Sequence, residues 1–247
     1  MRKILLIRTD RIGDTLLTLP VVKPIKEKWP HCKIDFLARR YTHPILENVK
    51  EISQILNYDP EGVHRGIRGH KLLATEIQQQ DYETAILFYP RIGLTFALWR
   101  AGVPRRIGTS HRWYSFLLTD RVHQSRSECL KHEVEYNLDL LKPLIQDLPR
   151  EILQFRLAVP ETTKREVQVI LTANNILRRY IVVHPGNGDS APNLSRDQYR
   201  TLIQQISLSG MRVVLTGLNS EKEYNESLKS NFSTNNIIDL TGTLNLE

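Results

Sequence analysis

The stretch "KILLIRTDRIGDTLLTLP" (residues 3–20) joins an apolar run to a segment of helical periodicity through a short polar loop. The run "KILLIR" (3–8) is typical of a short β-strand. Gly13 and Asp14 occupy the connection, where glycine suits a turn and aspartate is a common helix N-cap. The stretch therefore predicts a β-strand followed by a helix, the first half of a βαβ unit.

The same alternation continues along the chain. Further strands are predicted at 33–38, 52–58, 84–89 and 105–109, and helices at 15–29, 41–48, 70–80, 93–101 and 132–145. The segment "QDLPREILQFRLAVPETT" (146–163) breaks this rhythm with two prolines and mixed charge, which is typical of a domain boundary. Beyond it, strands are predicted at 180–184, 212–217 and 237–242, between helices at 163–176, 196–209 and 220–230.

This pattern predicts an α/β fold with two Rossmann-like, doubly wound domains, 1–150 and 151–247. The second set holds three strands, which is half of a doubly wound domain, so we expect the second domain to be incomplete and the chain to be truncated. No apolar run approaches the length of a membrane span or a signal-peptide core, and the two cysteines form no disulfide framework. A cytoplasmic protein is the resulting expectation.

The net charge of +7 is unevenly distributed. Residues 1–150 hold 24 Lys and Arg against 17 Asp and Glu, whereas the remainder holds 10 of each. A basic first half predicts an anionic partner, such as a phosphorylated substrate, an acidic lipid surface or nucleic acid. The alternative is that scattered cations only maintain solubility.

The loop around Asp14 lacks both the Gly-x-Gly-x-x-Gly spacing of a dinucleotide site and the lysine of a P-loop. A carboxylate there would repel a phosphate, but it is ionised near neutral pH and can accept a hydroxyl proton. Asp14 is thus a candidate general base, with helix capping as the alternative.

The corresponding loop of the second half is "VVHPGNGDSAPNLSRDQY" (182–199). Its glycines allow sharp turning, and its short polar residues precede a helix that begins near Ser195. Such a loop can direct several N–H groups at a phosphate oxygen, although a generic βα turn would look similar.

Six segments together resemble the bacterial lipopolysaccharide heptosyltransferases of glycosyltransferase family 9. They are "ILLIRTDRIGDTLLTLPVVKPIKEKWP", "PRRIG", "KHEVEYNLDLL", "VVHPGNGDSA", "VVLTGLNSEKEY" and "IIDLTGTLNLE", in the family's order and spacing. The resemblance implies the two-domain glycosyltransferase-B fold, with the acceptor bound by the first domain and ADP-heptose by the second. It also implies transfer with inversion and without a metal or other cofactor, with Asp14 as the catalytic base.

The resemblance and the charge pattern together nominate two sets of binding residues. The acceptor, an anionic lipopolysaccharide precursor, is assigned to Arg11, Gly13, Arg105, Arg106, Arg112 and Lys131. The ADP-sugar donor is assigned to His184, Gly186, Asn187, Gly188, Ser190, Arg196, Glu221, Thr241 and Gly242. Guanidinium groups suit phosphate and carboxylate, and a carboxylate such as Glu221 suits a ribose hydroxyl. An acidic residue at a helix start is also common for dipole reasons alone.

Two departures from the family pattern bear on activity. Pro192 and Leu194 occupy places where the family commonly has a cation and an aromatic residue, which leaves Arg196 or N–H groups to stabilise the leaving diphosphate. The family also continues past "LTGTLNLE" into a loop that closes over the donor phosphates. We therefore expect this polypeptide alone to transfer sugar poorly or not at all.

The rival hypothesis is a noncatalytic remnant that binds anionic glycolipid or the inner membrane surface. A nicotinamide-dependent oxidoreductase lacks its glycine fingerprint, and a nucleic-acid binder lacks aromatic residues interleaved on a basic strand. No Asp-x-Asp occurs, and the histidines lack metal-ligand spacing. We expect a monomer in peripheral contact with the inner membrane, without a bound metal or nucleic acid.

Overall fold

The computed structural model describes residues 1–148, 157–176, 179–186, 188, 192–229 and 236–245. The chain divides into two compact units, Met1–Ala158 and Val159–Glu247. The boundary predicted at 150/151 falls among residues 149–156, which lie outside the described residues.

The first unit is built on six parallel strands in the order β3-β2-β1-β4-β5-β6. The strands are β1 (Lys3–Ile7), β2 (Lys33–Ala38), β3 (Ile52–Asn57), β4 (Thr84–Leu87), β5 (Arg105–Thr109) and β6 (Asp120–Val122). Its helices are α1 (Ile12–Leu16), α2 (Val22–Lys28), α3 (His43–Glu47), α4 (Gly66–Gln78), α5 (Ile92–Arg100) and α6 (Glu133–Asp139). This strand order is the doubly wound order expected of a Rossmann-like sheet.

The second unit contains three parallel strands in the order β7-β8-β9. The described elements are α7 (Glu161–Ala173), β7 (Tyr180–Val183), α8 (Arg196–Leu208), β8 (Arg212–Leu215), α9 (Lys222–Lys229) and β9 (Ile237–Asp239). Parallel α/β architecture is thus observed in both units, as the alternating pattern predicted.

The apolar run of β1 is explained by the two layers of helices that cover it. Ile4 and Leu6 pack into one buried cluster with residues of α2, α3 and α6, while Leu5 and Ile7 pack into another with residues of α4 and α5. Because successive side chains of a strand point to opposite faces, every residue of this run must be apolar.

The helix predicted over 15–29 is wrong as a single element. The segment forms α1, a 3-10 turn at Leu19–Val21, and α2. Pro20 lies at the start of the 3-10 turn, where it supplies no N–H and where its ring would clash with a preceding carbonyl in a continuous helix. The three-residue strand β6 was not predicted, because "DRV" has no apolar run.

The neighbouring strands β1 and β4 mark the point at which the strand order reverses, and ligands of open α/β sheets bind beyond the carboxyl ends of strands at such a point. Residues 8–14 and 88–91 leave the sheet there. Within the described ranges, no helix is long and apolar enough to cross a membrane.

Candidate functional site

Asp14 lies beyond the carboxyl end of β1, as the third residue of α1. The N-cap of this helix is Arg11, whose side chain makes no capping hydrogen bond, so the alternative that Asp14 is the cap is wrong. Thr15 Oγ1 donates to the Arg11 carbonyl at 3.1 Å, and Thr18 Oγ1 donates to the Asp14 carbonyl at 2.8 Å. One third of the Asp14 side chain is exposed, so the carboxylate is held by the helix and open to solvent.

Arg8, the first residue after β1, is the centre of an ionic network. Its side chain is 3% exposed. Its Nη2 lies 2.9 Å from Asp14 Oδ1, and its Nε donates to Asp10 Oδ1 at 2.6 Å. Its Nη1 donates to Glu133 Oε1 at 3.1 Å. One buried guanidinium therefore holds three carboxylates at the crevice of the sheet.

A second arginine, Arg126, belongs to the same network although it lies late in the sequence of the first unit. Arg126 Nη1 lies 3.2 Å from Glu133 Oε1, and Arg126 Nη2 donates to Asn137 Oδ1 at 3.3 Å. The buried Asn137 also accepts from Arg8 Nη1 at 3.3 Å and donates to the Leu17 carbonyl at 2.9 Å. Two guanidinium groups against three carboxylates leave a formal charge of −1 at this edge of the sheet.

The electrostatics of this network follow from burial and charge. Burial by itself lowers the pKa of Arg8, but the hydrogen bond with Asp10 and the charges of Asp10, Asp14 and Glu133 outweigh it and raise that pKa. Burial also raises the pKa of the Asp10 carboxyl above its ordinary value, and Arg8 opposes this. Arg126 has a lowered pKa, chiefly because it is buried. Arg8 thus remains a cation that fixes the carboxylates around it.

Aromatic residues flank the network on either side. The Arg8 guanidinium carbon lies 6.0 Å from the centroid of the Tyr89 ring, which follows β4, and that of Arg91 lies 5.0 Å from the same ring. On the β2 side, Tyr41 donates through its hydroxyl to the Asp10 carbonyl. The candidate site is therefore the crevice between β1 and β4, bordered by cations and tyrosines.

The five predicted acceptor cations are placed differently from one another. Arg11 and Arg112 are exposed at the carboxyl edge, one at the start of α1 and one after β5. Lys131 is exposed and lies 2.6 Å from Asp139, and the hydrogen bond with that carboxylate raises its pKa. Gly13 is exposed, and a Cβ there would have no neighbour within 4 Å.

Arg105 and Arg106 begin β5 and so lie at the opposite, amino edge of the sheet from Asp14. Arg105 forms two hydrogen bonds with Asp120, at 3.1 and 3.0 Å, and a third with the Pro143 carbonyl at 2.6 Å. Arg106 donates to the carbonyls of Leu117 and Val103. The structure does not bring these two arginines together with Asp14, because their guanidinium groups tie the start of β5 to neighbouring segments.

In the second unit, the predicted donor residues Gly186, Glu221 and Gly242 lie beyond the carboxyl ends of β7, β8 and β9. A Cβ placed on Gly186 would lie 1.9 Å from Glu221 Oε1, so Gly186 and this carboxylate are in direct contact. Glu221 also accepts from the Leu218 main-chain N–H at 2.6 Å. Gly242, with φ +74°, donates to the Gly217 carbonyl at 2.9 Å. Gly186 and Gly217 thus both lie against the Glu221 carboxylate.

The neighbouring threonines are fixed by buried polar contacts. His184 Nδ1 lies 3.0 Å from Thr216 Oγ1. Asn225, which is fully buried, donates to Thr241 Oγ1 at 2.7 Å, and Thr241 in turn donates to Asp239 at 2.5 Å. Hydrogen bonds from Thr241 and Lys229 lower the pKa of Asp239, and they outweigh burial, which by itself would raise that pKa.

The remaining donor residues are less informative. Gly188 has φ +53°, a conformation that favours glycine. The Arg196 guanidinium stacks over the Tyr224 ring with 5.7 Å between its carbon and the centroid. Asn187 and Ser190 lie outside the described residues.

Over the described residues, no group of three or more His, Cys, Asp or Glu side chains could hold a metal ion. Sequence reasoning missed Arg8, Glu133 and Asn137 as members of the first site. Arg8 could have been found from its place directly after a buried strand, at the crevice. Its partners Glu133 and Asn137 lie 125 and 129 residues away, a pairing that no local pattern records.

Comparison with known proteins gives the chain its family. The family model described as glycosyltransferase family 9 (heptosyltransferase) matches residues 71–247. A provisionally named glycosyltransferase of Haemophilus influenzae is 29% identical over 230 residues, which are 90% of this chain and 66% of that protein. Lipopolysaccharide heptosyltransferase 3 of Escherichia coli is 26% identical over 211 residues, 83% of this chain and 60% of that protein. The chain thus spans about two thirds or less of these relatives' length.

The fold is also that of a solved member of the family. The E. coli ADP-heptose lipopolysaccharide heptosyltransferase II matches with a TM-score of 0.78 at 22% identity, over 99% of this chain and 74% of that one. At this level of identity the likeness concerns the fold alone. Since the family model matches well over half of the residues, the chain belongs to glycosyltransferase family 9, the heptosyltransferase family.

Proposed function

We propose that this protein takes part in transfer of heptose from ADP-heptose to the inner core of lipopolysaccharide, with a lipid A–Kdo precursor as acceptor. Family membership and the names of two relatives, a lipopolysaccharide heptosyltransferase and an ADP-heptose lipopolysaccharide heptosyltransferase, support this substrate class. The observation that carries it is a partly exposed carboxylate, Asp14, held by the buried Arg8 at the crevice of a doubly wound sheet.

In the proposed reaction, Asp14 accepts the proton of the acceptor hydroxyl. The hydroxyl oxygen forms a bond to the anomeric carbon of heptose, the bond from that carbon to ADP breaks, and ADP leaves with the electron pair. Attack opposite the leaving group inverts the anomeric centre. The Arg8 ion pair orients Asp14, since a base must lie within hydrogen-bond reach of the proton it takes.

On the donor side, the contact between Gly186 and Glu221 favours a sugar hydroxyl over a phosphate at this point. A carboxylate accepts a hydrogen bond from a ribose hydroxyl, whereas it would repel a diphosphate at the same distance. We therefore assign the ADP ribose to Glu221 and the diphosphate to main-chain N–H groups further along the loop, near Gly188. Arg196 is the nearby cation proposed to stabilise the leaving group.

The proposal extends to the setting of the reaction. We propose a monomer that works on the cytoplasmic face of the inner membrane, in peripheral contact with it and without metal ion or other cofactor. The basic first half, with 24 Lys and Arg against 17 Asp and Glu, supports attraction to anionic glycolipid and membrane.

The activity is proposed for a protein of the relatives' length, because the chain spans 66% and 60% of the two curated relatives. For the chain alone we retain the expectation of poor transfer. A noncatalytic glycolipid-binding protein is the alternative, and an ADP-sugar titration separates the two, because the alternative requires no donor binding.

The deciding experiment measures ADP release from ADP-heptose with a deep-rough lipopolysaccharide acceptor. It compares the chain, a version extended with the C-terminal part of the Haemophilus relative, and the Asp14→Asn variant of each. Acceptor-dependent release that disappears in Asp14→Asn supports the proposal. Release unaffected by Asp14→Asn overturns the assigned base, and failure of calorimetry to detect ADP-sugar binding in either version supports the alternative.

A further inference from the structure

The first unit carries an exposed apolar surface that the proposed chemistry does not use. We name it the aromatic patch and define it by Ile67 of α4, Ile92, Phe96 and Trp99 of α5, and Trp113 and Phe116 of the turn after β5. These residues line a cavity of about 550 Å³. Their rings contact one another, with centroids of Trp113 and Phe116 6.4 Å apart and those of Phe96 and Trp99 5.8 Å apart.

The patch is exposed to a degree unusual for such side chains. Trp113 is 75% exposed, Ile67 is 73% exposed and Phe116 is 63% exposed. Single exposed apolar residues are common, but contiguous apolar patches on a protein surface mark sites of interaction with proteins, ligands or membranes. The grouping of three elements at one place therefore calls for an occupant.

Charge identifies the occupant. Residues 62–75 and 84–119, which supply every residue of the patch, contain eight Lys and Arg and no Asp or Glu. Arg68, Arg91, Arg100 and Arg112 are sequence neighbours of patch residues and are exposed. An apolar surface among cations, with no carboxylate in these segments, complements an apolar layer bounded by negative charge.

We propose that the aromatic patch inserts into an anionic phospholipid leaflet and that the surrounding arginines bind its phosphate groups. Tryptophan is favoured at the boundary between hydrocarbon and headgroups because its ring is apolar while its indole N–H can donate a hydrogen bond. Arginine binds phosphate through two parallel N–H donors. Apolar burial and attraction to anionic lipid add together in surface-bound proteins of this kind.

The patch adjoins the candidate site. Arg91, which directly precedes the patch residue Ile92, lies against the ring of Tyr89. The same ring lies against the guanidinium of Arg8, which pairs with Asp14. Tyr114 of the same cavity is close enough to Tyr89 and Arg91 for their charges to affect its pKa, which is raised chiefly by burial. This assignment deepens the proposed function. Membrane binding by the patch does not depend on that function, but its proposed purpose does, which is to place a membrane-embedded acceptor beside Asp14.

The first test uses vesicles that contain neither donor nor acceptor. The chain should co-sediment with phosphatidylglycerol–phosphatidylcholine vesicles and should bind pure phosphatidylcholine vesicles at least about tenfold less. Added salt should release it from the anionic vesicles. The double variant Trp113→Ser/Phe116→Ser should bind anionic vesicles about tenfold or more weakly. The matched control Leu208→Ser removes an equally exposed apolar residue, 77% exposed, from α8 in the second unit and should bind as the original chain does.

The second test locates the contact. Of the three tryptophans, Trp99 and Trp113 belong to the patch, and Trp29 packs partly buried against the core. In a Trp29→Phe background, brominated lipid should quench fluorescence on binding, and the further change Trp113→Phe should remove much of that quenching. Near-ultraviolet circular dichroism tests whether each variant is folded. The variant Arg68→Gln/Arg100→Gln removes two of the arginines proposed to bind phosphate and leaves the apolar residues intact, so it separates the contribution of charge from that of apolar burial.

Three outcomes would overturn the assignment. They are equal binding by the patch double variant and Leu208→Ser, quenching that does not depend on Trp113, and a dimer in light scattering that the patch double variant converts to monomer. The last would show that a second copy covers the patch. Since no sugar is present, vesicle binding can succeed where heptose transfer fails, so the two proposals are tested separately.

Discussion

Arg8 Nη2 lies 2.9 Å from Asp14 Oδ1, and the same guanidinium contacts Asp10 and Glu133. Glu133 also pairs with Arg126, whereas Asp10 and Asp14 share the cation of Arg8. Asp14 is the most exposed of the three, at 33% against 26% for Glu133 and 13% for Asp10. The pair therefore gives the proposed base a fixed position and access for an incoming hydroxyl group.

Replacing Asp14 tests the base directly. Asp14→Asn keeps the shape and a hydrogen-bond acceptor for Arg8 but accepts no proton, so the extended enzyme should lose about 10²–10⁴-fold in kcat. The Kd for ADP-sugar, measured by calorimetry, should stay unchanged. The matched control is Asp81→Asn, at an exposed turn preceding β4 on the amino side of the sheet, and it should retain full kcat.

Replacing Arg8 tests its positioning role. Arg8→Met leaves the partly buried Asp10, Asp14 and Glu133 carboxylates without this cation, and we expect a loss of about 3 kcal/mol in the free energy of unfolding in urea. Since such a loss can unfold a marginally stable protein, Arg8→Lys is the informative variant. It keeps the charge but loses the fork that reaches all three carboxylates, so kcat should fall while the KM for donor stays constant. An Arg8→Lys enzyme with unaltered kcat would contradict the role.

Variants of Arg105 and Arg112 should distinguish an arginine that stabilises the fold from one that binds the acceptor. Arg105→Gln breaks contacts with Asp120 and the Pro143 carbonyl, and about 1–2 kcal/mol of unfolding free energy should be lost. The KM for acceptor should not change, because Arg105 lies at the amino edge of the sheet. Arg112→Gln should raise that KM severalfold with little effect on stability. An Arg105→Gln enzyme with an equally raised KM would restore Arg105 to the acceptor site.

The pair Arg105–Asp120 also predicts a pH dependence. The hydrogen bond from Arg105 lowers the pKa of Asp120 from its ordinary 3.8, although burial opposes this. A carboxyl whose pKa is lower in the folded state stabilises the fold above its ordinary value, and this stabilisation disappears as the pH falls through the folded pKa. The original chain should therefore be more stable than Asp120→Asn at pH 7, and the difference should shrink below about pH 4. A pH-independent difference would contradict the assignment.

Gly186 offers a steric test of the donor site. In Gly186→Ala the new Cβ would overlap the Glu221 carboxylate, which must move. We expect ADP-sugar binding to weaken by about tenfold or more, as measured by calorimetry, if Glu221 binds the ribose. Gly13→Ala is the control, because a Cβ at that exposed position has no neighbour within 4 Å. Unchanged donor binding in Gly186→Ala would remove Glu221 from the ribose site.

Sequence reasoning was most successful where burial imposes a pattern on neighbouring residues. The runs at residues 4–7 and 85–87 must be apolar because helices cover both faces of β1 and β4, and both strands were predicted. The helix after β1 was predicted too long because aliphatic residues at helical spacing continue on both sides of Pro20. The helix is interrupted at Pro20 because proline has no N–H to donate, and hydrophobic periodicity carries no information about this.

The site was predictable only in part, for a different physical reason. The sequence predicted that Asp14 follows closely after the carboxyl end of the first strand, and the structure places it there, in the first turn of α1. Arg105 and Arg106 were assigned to the acceptor from charge, from their place near a predicted strand end and from the family resemblance. None of these indicates that their side chains bond to Asp120 and to main-chain carbonyls. Arg8 binds Glu133 across 125 residues of chain, so its role depends on how α6 packs beside β1.

Asp14 takes its position from main-chain bonds of α1, from Thr15 and Thr18 and from the Arg8 ion pair, not from the segments after β5 and β6 that carry Arg112 and Lys131. Evolution can therefore alter those segments, and with them the preferred sugar hydroxyl, while the reactive oxygen stays in its place. Diversification of specificity among related enzymes would then require no reinvention of the chemistry.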